Sequence, residues 1–227
     1  IGFDLDRLTL VSVNPAQLSE PANQELIWSS DLNSGSSAKM TYHLPAGTYR
    51  LGTRSGIGEF GSFTVSVSRA LRAISGSLVV SGGTEVGFDL SKLARVELDA
   101  SILSEPMGKL LVWMGEIGAG TQSRAVYHLP SGTYSVTTRS GAGSFGNITV
   151  SGAEIVSTSG SLVHSSNAVS FDLSKLASVK IDAGSLSEPA GLQTVWLGEF
   201  NSGTASLLTL SMPDGQYVLA NRTGDVT

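Results

Sequence analysis

Apolar and polar residues alternate in twos along much of this chain. Val96, Leu98 and Ala100 fall on one face while Glu97 and Asp99 fall on the other, and Val179, Ile181 and Ala183 repeat this against Lys180 and Asp182. A period of two is that of a half-buried strand, because successive side chains of extended backbone point to opposite sides. Residues 110–117, around Trp113, are more continuously apolar, as expected of a strand covered on both sides, and 125–129 alternate again. Further strands carry Tyr134 with Val136, and Ile148 with Val150, and the segments 160–163 and 169–173 open the next stretch after Gly-rich turns. About seven short strands in each stretch of this size predict a β-sandwich.

The pattern is written three times. Phe3-Asp4-Leu5 returns as Phe88-Asp89-Leu90 and Phe171-Asp172-Leu173, at spacings of 85 and 83 residues. Ser19-Glu20-Pro21 returns as Ser104-Glu105-Pro106 and Ser187-Glu188-Pro189, and Trp28, Trp113 and Trp196 keep the same register. The expected organisation is all-β: three tandem sandwich repeats over 1–72, 73–156 and 157–227, joined by short linkers at 69–75 and 152–159. Aligned on the middle copy, the first lacks a counterpart of 75–80, an opening strand, and the last lacks a counterpart of 145–150, a closing strand. Unpaired strand edges invite other strands, so the chain is expected either to continue into further repeats or to associate head to tail.

Leu44-Pro45-Ala46-Gly47-Thr48-Tyr49 recurs as Leu129-Pro130-Ser131-Gly132-Thr133-Tyr134 and, loosened, as Met212-Pro213-Asp214-Gly215-Gln216-Tyr217. Pro and Gly impose a bend, and the Tyr opens the next strand with its hydroxyl able to reach back to the backbone. This resembles the tyrosine corner of immunoglobulin-like and fibronectin type III sandwiches, and the string is similar to the last third of many tandem Ig-like repeats in large bacterial surface or secreted proteins. The resemblance implies a core holding Tyr49, Tyr134 and Tyr217 together with Trp28, Trp113 and Trp196. It also implies an extracellular or cell-surface location and an adhesin stalk or fibre as the setting. The cysteine pair of antibody domains is missing, so the antibody branch is not implied.

Composition narrows the chemistry. Charged residues are only 15% and the net charge is −5 without a basic cluster, which argues against nucleic acid as a partner. There is no cysteine, hence no disulfide and no thiolate metal site. The longest apolar run, 110–114, is far short of the roughly eighteen residues of a membrane helix, so membrane insertion is not expected. Gly56-Ile57-Gly58-Glu59-Phe60-Gly61 and Gly141-Ala142-Gly143-Ser144-Phe145-Gly146 match G-x-G-x-x-G, but a strand follows where phosphate binding needs a helix N-terminus. They are expected to be hairpin turns. His43 and His128 occupy equivalent places, with Ser211 in the third copy and His164 elsewhere, which does not assemble a catalytic triad.

Recurrent acids invite a calcium reading, with Asp89 and Asp172 as the candidates nearest a repeat junction, yet no Asp-rich calcium string is present. Arg54, Arg139 and Arg222 stand at the same place in each copy, before a turn, and form a candidate contact loop for a ligand or for a neighbouring acid. The expectation is therefore a non-enzymatic structural array without a cofactor, its partners being further repeats, other copies, or a glycan or host surface. The alternative is a set of carbohydrate-binding sandwiches using exposed aromatics.

Overall fold

The computed structural model describes residue 2 and residues 4–222. Its regular structure is strands, linked by turns and by single 3-10 turns of three residues. In the first module, strand Thr9–Val13 pairs antiparallel with Met40–Leu44 on one side and parallel with Glu85–Phe88 on the other, and Leu78–Ser81 extends the sheet. A second sheet runs Ser34–Ser36, Ile27–Ser29, Gly47–Thr53, Glu59–Val65 and Leu71–Ala73. Val11, Val13, Leu44, Val86 and Phe88 from one sheet and Leu51, Phe60, Phe63 and Val65 from the other share one core. The second module repeats this plan. Ala94–Asp99 lies between Arg124–Leu129 and the parallel Ala168–Phe171, over a sheet built on Gly132–Thr138 and Ser144–Ser151. The third begins the plan again with Ala177–Asp182 paired to Leu207–Met212 and Val195–Leu197 paired to Ser202–Thr204.

The predicted alternation holds where it was clearest. Ala94, Val96 and Leu98 are fully buried, and Arg95, Glu97 and Asp99 face outward. The predicted boundaries do not hold, because the hairpin 78–88 pairs onto Thr9–Val13 through Ser12↔Glu85 and Val13↔Val86. A cut between 72 and 73 would remove two strands from the first sheet, and a cut between 156 and 157 would do the same to the second. The first module thus does not lack its opening hairpin but takes it from the residues that follow. The expected linkers are not linkers either: Leu71–Ala73 and Glu154–Thr158 are strands paired to their own modules.

Glycine explains why the chain folds back there. After Leu71–Ala73 the backbone must cross from one sheet to the other, and it passes so close that a Cβ on Gly61 would meet the Ser75 carbonyl oxygen and one on Gly76 that of Phe60. Both glycines also have positive φ, which other residues rarely adopt. Ser77 N donates to Phe60 O at 2.7 Å and its hydroxyl donates to the same oxygen, so the crossing is tied down on arrival. Gly146, Gly160 and Ser161 repeat the arrangement in the second module.

Each recurrent bend closes as a hydrogen bond: the hydroxyls of Tyr49, Tyr134 and Tyr217 donate to the carbonyls of Pro45, Pro130 and Pro213 at 2.9, 2.8 and 2.7 Å. Tyr49 and Tyr134 are buried and Tyr217 is half-buried. The tryptophans do not join them. In Val112–Met114 the flanking Val112 and Met114 are fully buried, so the alternation turns Trp113 to the outer face, where it is partly exposed. Trp28 and Trp196 are placed alike. A run of apolar residues looked covered on both sides because each indole lies across a glycine of the paired strand, namely Gly35, Gly120 and Gly203. A Cβ on Gly120 would come within 2.7 Å of Trp113 Cε3.

Phe145, fully buried and packed edge-on against Phe171 at 5.1 Å between ring centroids, belongs to the core that Trp113 leaves. Phe145→Ala is expected to cost about 3–5 kcal/mol in urea unfolding. Trp113→Ala should cost less, and the opposite order would return the tryptophan to the core.

Candidate functional site

The strand that ends each outer ladder needs cover, and a neighbouring module supplies it. Ser19–Glu20, from the first module, pairs antiparallel with Arg124–Leu129 of the second through Ser19↔Tyr127 and Glu20↔Val126. His128 N donates to Leu18 O at 2.8 Å. Ser104–Glu105, from the second, pairs in the same sense with Leu207–Met212 of the third through Ser104↔Leu210 and Glu105↔Thr209. The recurrent Ser-Glu-Pro is therefore the tip of an arm that adds a short strand to the next module.

Local chemistry shapes the arm. The Ser19 hydroxyl accepts from Gln24 N at 2.8 Å and Ser104 from Lys109 N at 2.9 Å, closing the loop behind the strand. All three Glu-Pro bonds are cis. The residue before the serine anchors the arm by burial: Leu18 and Leu103 are both 0% exposed. Burying a leucine side chain is worth roughly 1.5–3 kcal/mol, comparable to the net gain of the few backbone hydrogen bonds beside it at roughly 0.5–1.5 kcal/mol each.

A second contact comes from the G-x-G-x-x-G turns. A Cβ on Gly58 would run into the Tyr134 hydroxyl and within 2.7 Å of Pro130 Cγ, both in the following module. Gly143 stands in the same relation to Tyr217 and Pro213, and it forms a bridge with Gly215. Beside these turns, Ser55 N donates to Glu116 O at 3.2 Å and Ser140 N to Glu199 O at 3.4 Å. The motif is a turn, as expected, but its middle glycine is a docking point on the next module's tyrosine bend.

The two joints differ at one buried position. Leu110 is fully buried in the second joint, and the apolar cluster runs through it without interruption from the second module into the third. The corresponding residue of the first joint is Glu25, also 0% exposed, with neither carboxylate oxygen hydrogen-bonded. The Tyr127 hydroxyl is likewise buried and unpaired. Burial holds the Glu25 carboxyl well above the ordinary carboxylate range. It also lowers His128 below the ordinary histidine range, with Arg95 adding to the effect.

Other predicted residues have local partners. Asp89 and Asp172, the calcium candidates, cap 3-10 turns: each accepts from the amide and hydroxyl of Ser91 or Ser174, at 3.1 and 2.6 Å. Those serine bonds hold both carboxyls below the ordinary range. No cluster of three or more His, Cys, Asp or Glu able to hold a metal occurs among the described residues. The Arg139 guanidinium stands over the Trp113 ring at 5.7 Å and that of Arg222 over Trp196 at 5.9 Å. Arg54 instead lies along Gly118 of the second module. His43 and His164 are exposed; His164 Nδ1 lies 3.1 Å from the Thr158 hydroxyl. No helix among the described residues is long and apolar enough to cross a membrane.

The arm's role was the reading that sequence reasoning missed. Its signal was present: Leu-Ser-Glu-Pro stands unchanged at 18–21, 103–106 and 186–189, outside the alternating strands that account for the other apolar residues. Comparison of the chain with known protein families, curated proteins and solved structures gave no match.

Two substitutions address the joints. Gly143→Ala is expected to cost about 1–3 kcal/mol by overpacking against Tyr217 and Pro213, read as a lower midpoint in urea. Glu25→Leu, which installs the residue of the second joint, is expected to stabilise by roughly 1–3 kcal/mol at neutral pH. Because burial raises the folded carboxyl of Glu25 above its unfolded value, stability is expected to fall as pH rises from the unfolded value toward the folded one. The advantage of Glu25→Leu should therefore be larger at about pH 8 than at about pH 4 in thermal melts, and His128, present in both proteins, drops out of the difference. An advantage independent of pH would mean that the carboxyl titrates alike in the folded and unfolded chains, against the burial argument.

Proposed function

We propose that the chain is a non-enzymatic structural array of immunoglobulin-like β-sandwich repeats that acts as a spacer in an extracellular stalk or fibre. The observation that carries this reading is the arm: residues of one module form a strand of the next, twice, with the same register of Ser-Glu against the receiving strand. A joint made of backbone hydrogen bonds, a buried leucine and a glycine turn seated on a tyrosine bend has several points of attachment. It resists both bending and twisting, unlike a flexible linker. The Tyr-to-Pro hydrogen bonds support the immunoglobulin-like assignment, since the hydroxyl returns to the backbone as in a tyrosine corner. Partners would be further repeats of the same kind.

The test is mechanical. Small-angle scattering of the parent should fit one fixed arrangement of modules, and Leu103→Asp, which puts a charge into the second joint, should give a broader distribution of sizes and split the thermal transition in two. Scattering from the parent that requires freely moving modules would remove the proposal.

A second reading, carbohydrate binding, draws on the outward placement of Trp28, Trp113 and Trp196. Arginines already stand over two of the rings, leaving Trp28 as the freest platform. Tryptophan fluorescence titrated with polysaccharides should stay unchanged; a saturable shift abolished by Trp28→Ala would favour the carbohydrate reading instead.

A further inference from the structure

Among the described residues, the first module's receiving strand carries no added strand, and the third module's arm is paired to none. Met40–Leu44 is the last strand of its sheet and, among the described residues, pairs only with Thr9–Val13. Its Tyr42 is half-buried, whereas the equivalent Tyr127 and Leu210, under their arms, are fully buried. Pro45 is exposed, whereas Pro130 and Pro213 are buried. At the other end, residues 186–189 form no strand, and Leu186 is 48% exposed where Leu18 and Leu103 are 0%.

The free arm nevertheless keeps the form of the docked ones. Leu186 N donates to Ala183 O at 3.2 Å, as Leu103 N does to Ala100 O. The Ser187 hydroxyl accepts from Leu192 N at 2.9 Å, the bond that closes the arm in the other two copies. An arm that is already shaped loses little further freedom on docking. Glu20 and Arg124 line one crevice of the first joint, but Arg124 is paired with Glu97 at 2.6 Å and its counterpart on the open strand, Lys39, with Glu85 at 2.7 Å, so the match of arm to strand rests on shape and backbone pairing rather than on charge.

We propose that residues 186–189 of one molecule add as a strand to Met40–Leu44 of a second copy, so that copies join head to tail through a third joint of the same kind as the two inside the chain. The proposal rests on the reading of those joints as couplings between repeats, and it names the two surfaces that make the array extendable. Being heterologous, such contacts do not close into a pair; each added copy presents a new free arm. The residue in sequence register with Gly58 and Gly143 is Val226, outside the described residues, so this joint is argued from the arm alone. It should be weaker than the internal ones and show its strength through protein concentration.

Sedimentation equilibrium over a wide concentration range tests this. The parent should pass from a 23.5 kDa monomer to dimers and longer species as concentration rises. Leu186→Asp removes the anchor. His43→Pro removes the outward amide equivalent to the His128 N–H that holds Leu18 O, on an edge strand where proline is tolerated. Each variant alone should stay monomeric, with a circular-dichroism spectrum and melting point matching the parent, and the milder Leu186→Ser should weaken association by at least about tenfold. A mixture of Leu186→Asp with His43→Pro is the decisive sample: one keeps the receiving strand and the other the arm, so they should form a dimer and stop there. A parent that remains monomeric at every concentration, association that survives both substitutions, or a mixture that stays monomeric would each overturn the proposal. Scattering from the monomeric Leu186→Asp protein tests the rigidity of the internal joints separately, so loss of the third joint and loss of the spacer reading would be told apart.

Discussion

The arrangement depends on what happens at the edge of one strand in each module. Arg124–Leu129 and Leu207–Met212 would present a row of unpaired amide and carbonyl groups if left bare, and such a row is a template for any extended segment. Here the preceding module fills it with two residues, and the leucine before them is buried in the process. Backbone pairing gives direction and register, and the buried apolar side chain adds a comparable share of the free energy. Because the covering strand belongs to another module, protection of the edge and coupling of the modules are one and the same contact.

Glycine does complementary work at three distances from that contact. Gly61 and Gly76, with Gly146 and Gly160, let two backbones cross at close range, and this crossing sends the following hairpin back onto its own module. Gly58 and Gly143 leave room for a tyrosine hydroxyl of the next module. Gly35, Gly120 and Gly203 accept the tryptophan rings on the outer sheet face. None of these positions requires chemistry, and all of them require the absence of a side chain. A motif that looks like a nucleotide fingerprint thus records two close approaches, at its second and third glycines, while its first glycine stands in open space in the turn.

The joints are built alike but not equally. A continuous apolar cluster joins the second and third modules, while the first keeps a core of its own and meets the second across a buried, unpaired carboxyl at Glu25. Removing a charge from water without a partner is costly, so burial favours the protonated form of this carboxyl, a pressure that Leu110 in the other joint does not feel. Within one repeated plan, the two joints thus differ in the chemistry of one fully buried position, Glu25 against Leu110.

Much of this was legible in the linear chain. The period of two along 94–99 and the Pro-Gly-Tyr bends report local geometry, since strand alternation and turn chemistry are decided within a few residues. Threefold recurrence likewise announced an array. Three things were decided only by tertiary structure. The hairpin 78–88 could have joined either neighbour, and a parallel pairing with residues 12 and 13 assigned it to the first. Trp113 sits in an apolar run that suits either face, and Val112 and Met114 claimed the inner one. Leu-Ser-Glu-Pro has no periodicity of its own, because a two-residue strand acquires its meaning from the edge it covers, and that edge lies about a hundred residues away in sequence. Local rules determined which segments are strands; contacts between distant segments determined which module owns them.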